Sequence, residues 1–86
     1  MVFDDANEAK LVAHQVSLVE VLEVLESEPR FFRNRADRRA SHVMVGPTLA
    51  GRLLVVPIED WGLGIWRPVT AFEVNPWQAN RYRSAL

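Results

Sequence analysis

Two helix-start signals close together near the N-terminus constrain this chain more than any other feature. Asp5 can cap a first helix, with Glu8 three residues on as its capping-box partner. Ser17 stands in the same relation to Glu20 and caps a second. His14-Gln15-Val16 separates them as a sharp break. Over 17–28, Leu18, Val21, Leu22 and Leu25 recur at helical spacing, and Glu20, Glu23 and Glu26 lie largely between them. That pattern is an amphipathic helix with one buried face, and Pro29 limits its C-terminal end.

From Phe31 the period changes. Ser41-His42-Val43-Met44-Val45 suits a strand, with His42 and Met44 on one face and Val43 and Val45 on the other. Pro47-Thr48-Leu49-Ala50-Gly51 is a hairpin turn. Arg52-Leu53-Leu54-Val55-Val56-Pro57-Ile58 follows as the most apolar strand, central in its first half. Pairing should falter at Pro57, which has no N–H for the ladder. Trp61-Gly62-Leu63-Gly64 makes the next turn, and 65–72 is the last strand, with Pro68 marking an edge or a bulge. A regular strand there places Arg67 and Phe72 on opposite faces. Asn75-Pro76 then starts a short C-terminal helix carrying Trp77, Arg81 and Tyr82. The reading is α+β: two N-terminal helices, a three- to four-stranded antiparallel sheet and a short terminal helix, in one domain over 1–86.

The 86 residues contain no cysteine, which excludes disulfides and a thiolate zinc site. Two histidines alone make a poor metal site, so neither metal nor other cofactor is expected. No apolar run approaches the eighteen or so residues of a membrane helix. Acids stand where a signal peptide would be basic, which points to a cytoplasmic protein without a membrane partner.

The net charge of −1 hides a segregation. Residues 1–29 hold seven acids against Lys10, a balance of −6, and residues 30–86 hold nine arginines against four acids, a balance of +5. Two meanings stay open: a basic face for phosphates or an acidic protein, or acidic helices that neutralise a basic sheet.

Asn7, Lys10, His14, Val16 and Ser17 at this spacing resemble the opening of the BrnT-type toxins, small bacterial ribonucleases of toxin–antitoxin pairs. Gly51-Arg52-Leu53-Leu54-Val55-Val56 resembles that family's central strand, Trp66-Arg67-Pro68-Val69-Thr70-Ala71 its last strand, and Arg81-Tyr82 the end of its terminal helix. The resemblance implies a RelE-like fold and metal-independent RNA cleavage. Such chemistry needs groups that move the 2′ proton and protonate the leaving oxygen, with cations around the developing charge. It implies a ribbon-helix-helix antitoxin as partner, with operator DNA bound only through that antitoxin.

On this resemblance Arg52, Arg67, Arg39 and Tyr82 surround the scissile phosphate, and Arg33, Arg35, Arg38 and His42 bind the RNA around it. Each has a structural alternative. Arg67 is either a phosphate clamp or a solvent-facing strand arginine, and Arg52 either enters a groove or is a strand-end charge. The run Arg30, Arg33, Arg35, Arg38, Arg39 lies in a predicted loop and hairpin, where it either meets RNA backbone or is simply solvated. His42 is either a proton carrier or a half-buried strand histidine. Tyr82 either donates a proton or stacks on a base, or packs on the sheet. His14, Asn7 and Lys10 read as structural, and the three tryptophans as core or rim.

This chain departs from the family's pattern at three places. The family has glycine at Gln15, where a left-handed residue costs about 1 kcal/mol, so either that strain is present or the turn differs. It has arginine at Phe72 and a glutamate near Gln78. Loss of one transition-state cation typically lowers a rate about 10²- to 10³-fold. The alternative function is therefore a catalytically inactive protein- or RNA-binding module of the same fold.

Overall fold

The computed structural model describes residues 1–74. Helices α1 (Asp5–Ala13) and α2 (Leu18–Glu26) precede strands β1 (Arg30–Arg33), β2 (His42–Pro47), β3 (Leu53–Asp60), β4 (Trp66–Pro68) and β5 (Phe72–Glu73). The fold is α+β. All strand pairs are antiparallel, in the order β1-β2-β3-β4, and β5 also pairs with β3. The sheet thus has five strands where the sequence predicts three or four. Arg30–Arg33, expected in a loop, is the edge strand of the basic hairpin. The expected C-terminal helix, with Trp77, Gln78, Arg81 and Tyr82, lies outside the described residues.

The cap of α1 is shifted by one residue. Asp4, not Asp5, accepts the Asn7 N–H at 2.9 Å, and Asn7, not Glu8, returns its side-chain oxygen to the Asp4 N–H at 2.9 Å. Asn7 prevails because its amide has further work. It is fully buried, and its Nδ2 donates to the carbonyls of Val2 at 3.1 Å and Pro68 at 3.0 Å. A glutamate on the exposed side of the helix could not reach them. The Ser17–Glu20 box of α2 forms as the sequence predicts. Between the helices Gln15 adopts φ 57°, so the left-handed strain is present. Replacing Gln15 with glycine should raise stability by about 0.5–1 kcal/mol, read as a higher urea midpoint at unchanged m-value.

The helices cover one sheet face. Leu11, Val16, Val21 and Val24 pack there on Met44, Leu54, Val56, Ile58 and Ala71. The other face carries Val45, Leu53, Val55 and Val74, with Phe32, Val43 and Phe72 beside them. Along β2 the alternation is therefore as read from the sequence, Met44 inward under the helices and Val43 and Val45 outward.

The last strand is broken by a bulge. Ile58 pairs with Pro68 and Val55 with Phe72, so Val69, Thr70 and Ala71 oppose only Pro57 and Val56. The cause is local. Pro57 presents its carbonyl to this edge, accepting the Val69 N–H at 2.8 Å, but has no N–H to return. The extra residue fits where the ladder is already open. The bulge also reverses the parity of the residues beyond it. Arg67 lies opposite Glu59 and Phe72 opposite Val55, so both belong to the face away from the helices, not to opposite faces.

Candidate functional site

The outer sheet face is walled by the 34–41 loop between β1 and β2. Asn34 holds that loop closed. Its N–H donates to the Ser41 carbonyl at 2.9 Å, its Nδ2 to the Ala40 carbonyl at 3.0 Å, and its Oδ1 accepts the Arg35 N–H at 2.9 Å. Between loop and sheet lies an open cleft of about 510 Å³. Among the described residues its floor is apolar, formed by Val43 of β2, Val55 and Pro57 of β3, and Val69 and Phe72 at the bulged edge. Its rim is cationic, formed by Arg38 and Arg39.

The two rim arginines differ in their freedom. Arg39 Nε lies 3.3 Å from Glu59 Oε2, with its own side chain 67% exposed. An exposed pair of this kind is weak, on the order of 0–1 kcal/mol, and readily exchanged for another anion. Arg38 makes no ion pair among the described residues. Arg35 sits 3.7 Å from Asp37 with both side chains exposed.

Arg67 is placed quite differently. It is only 6% exposed. Its Nε and Nη2 donate to the two carboxylate oxygens of Asp4 at 2.7 and 3.0 Å, and its Nη1 to Glu59 Oε1 at 2.8 Å. The fork-to-fork pair with Asp4 is the strong bidentate geometry of arginine and carboxylate. It locks the α1 cap to β4 and, through Glu59, to β3. The Arg67 guanidinium is thereby turned to two carboxylates of its own chain and is not presented to the cleft.

Asp4 is correspondingly acidified. The Arg67 guanidinium first, and the Asn7 N–H second, bring its carboxyl from 3.8 to about 2. Since the folded value lies below the unfolded one, the contribution of Asp4 to stability is complete above pH 3.8 and fades as pH falls towards 2. Glu20 acts with the same sign, lowered first by the Ser17 N–H and also by Arg52. The melting temperature should fall as the pH drops from about 4 towards about 2, and Asp4→Asn should flatten that part of the profile in thermal melts.

Arg52 occupies the opposite end of β3. It pairs with Glu20 of α2 and lies 3.6 Å from Glu73 of β5. It stands seven positions before Glu59 along the strand, about 23 Å at strand rise. Of the four residues expected around a scissile phosphate, then, Arg39 borders the cleft, Arg67 is buried against Asp4 and Glu59, and Arg52 is remote; Tyr82 lies outside the described residues. The placement of Arg52, Arg67 and Arg39 does not assemble one phosphate site, because Arg67 is held by Asp4 and Glu59 and Arg52 by Glu20 and Glu73 at the other end of the strand.

The RNA-binding set divides similarly. Arg35, Arg38 and Arg39 share the loop, and Arg33 ends the adjoining strand. His42 faces the helix side instead, with its ring edge on Trp66 at 5.3 Å and Nδ1 at 2.9 Å from Ser41 Oγ. His14 does not line the cleft; the centroid of its ring lies 6.2 Å from that of Phe72. The apolar floor and Glu59 were not singled out as site residues from the sequence. The one local signal was Pro57, whose interruption of pairing creates the bulge that turns Phe72 into the cleft. No group of three histidine, aspartate or glutamate side chains suited to a metal occurs among the described residues, and no described helix is long and apolar enough to cross a membrane.

Compared with known proteins, the chain matches no family, no curated protein and no solved structure.

Proposed function

We propose that the chain binds single-stranded RNA in this cleft without cutting it. One observation carries the reading: a cationic rim of Arg38 and Arg39 stands over an apolar floor that ends in Phe72. Phosphates suit the rim, since guanidinium groups bind them bidentately and stay charged. A base suits the floor, since every base has a face that can lie on an aromatic ring. Cleavage is disfavoured because Arg67 and Arg52 are each already held by two carboxylates. Fluorescence anisotropy with a labelled single-stranded RNA in EDTA tests both halves. Salt-sensitive binding with intact RNA recovered supports the reading. Absence of binding at low salt rejects it.

A second reading has the order of elements in its favour: two capped helices followed by an antiparallel sheet, as the BrnT-type resemblance implies. On it the chain is a metal-independent ribonuclease toxin of a bacterial cytoplasm, held by a ribbon-helix-helix antitoxin that alone contacts operator DNA. Metal-independent cleavage in the same EDTA experiment, with growth arrest when the chain is expressed in a bacterium, would favour it over binding alone.

A further inference from the structure

The turn between β3 and β4 carries an apolar tip that the fold does not require. Residues 61–65 read Trp61-Gly62-Leu63-Gly64-Ile65. The turn is firmly built. The Trp61 N–H donates to the Ile65 carbonyl and the Ile65 N–H to the Gly62 carbonyl, both at 2.9 Å, and Asp60 Oδ1 accepts the Gly62 N–H at 2.8 Å. Leu63 sits at φ 56° and is 100% exposed. Glycine or asparagine would make the same turn without strain, and leucine buries nothing there. Trp61 and Ile65, at 55% and 42% exposed, flank it. The arginine loop adjoins the tip, tied on by the Asp60 N–H donating to Ser41 Oγ at 3.2 Å. This pole is apolar at its point and cationic at its side.

The far end of β3 has the opposite character. There the C-terminal half of α2 and the β2–β3 turn enclose an open notch of about 350 Å³, bordered by Glu23, Glu26, Pro47 and Leu49. Leu49 is 88% exposed, and its N–H is fixed on Glu23 Oε1 at 3.1 Å. Glu26 is exposed, with no ion pair among the described residues. A projecting apolar point with basic flanks and a receding apolar notch with an acidic rim thus occupy opposite ends of one chain.

We infer that the tip of one copy docks in the notch of the next, Leu63 against Leu49 and Pro47, with Arg35 and Arg38 facing the rim of Glu23 and Glu26. The two surfaces are apolar at their centres and opposite in charge at their flanks, and a net charge of −1 opposes association little. The contact is heterologous. Each added copy leaves one free tip and one free notch, so growth continues past two copies. The inference holds whether or not the cleft takes RNA.

Sedimentation velocity without RNA tests it, from about 10 μM to about 300 μM chain at low salt, a range suited to a weak contact. The weight-average mass should climb past that of a dimer with concentration and fall in about 0.5 M salt. Leu63→Asp and Glu26→Lys alter exposed side chains, so circular dichroism should be unchanged while each variant stays monomeric. An equimolar mixture of the two should form dimers and stop there, because one retains the notch and the other the tip. A monomeric wild-type chain, assembly that ends at two copies, unimpaired Leu63→Asp assembly, or a mixture that stays monomeric would each overturn the inference.

Discussion

Replacing Arg67 with alanine should cost about 3 kcal/mol of stability, the low end of what is seen when one partner of a buried ion pair is removed. The low end applies because Asp4 is partly solvated, its side chain 40% exposed, whereas Arg67 is not. The loss has two sources. Asp4 and Glu59 are left facing the same space without their common cation, and the α1 cap is detached from β4. With a urea m-value near about 1 kcal/mol/M, usual for a small domain, the midpoint should fall by about 3 M at unchanged m. Arg67→Lys should fall between, since an ammonium cannot fork both Asp4 oxygens and reach Glu59 as well. A midpoint shift under about 0.5 M for the alanine variant would mean that the clamp contributes little and that Arg67 is free for other work.

The second large effect concerns the cleft. Arg38→Ala with Arg39→Ala should weaken single-stranded RNA binding about 10- to 100-fold near 100 mM salt, and should flatten the log–log salt dependence by about 1.4, two phosphate contacts at about 0.7 each. Stability should change by less than about 0.5 kcal/mol, because both side chains are exposed and at most weakly paired. Anisotropy titrations at several salt concentrations read both quantities. An unchanged slope would show that the rim does not meet phosphate. Similar side chains in one sheet region thus part company, Arg67 read out in folding and the rim pair in binding.

Much of the fold was legible because its signals are local. The Ser17–Glu20 box, the apolar stripe of α2, the alternation of Met44 against Val43 and Val45, and the failing ladder at Pro57 each need only a few neighbouring residues. The cap of α1 was misplaced by one position because Asp4 and Asp5 are equally good caps in isolation. What selects Asp4 is Arg67, 63 positions later. The candidate site was less legible for the same reason. Whether an arginine is free to bind depends on which carboxylate folding brings to it, and Asp4, Glu59, Glu20 and Glu73 are all distant from or unremarkable beside their partners. The bulge added a second obstacle: one extra residue moved Phe72 onto the face of Arg67, which strict alternation forbids.

The N-terminal clasp also bears on when the molecule can mature. Asn7 waits for the Pro68 carbonyl and Asp4 for Arg67, separations of 61 and 63 residues. During synthesis both helices emerge long before the strand that locks them. If closure of so long a loop comes after the folding barrier, Arg67→Ala should speed unfolding and leave the folding rate nearly unchanged. The clasp then confers lifetime rather than folding speed.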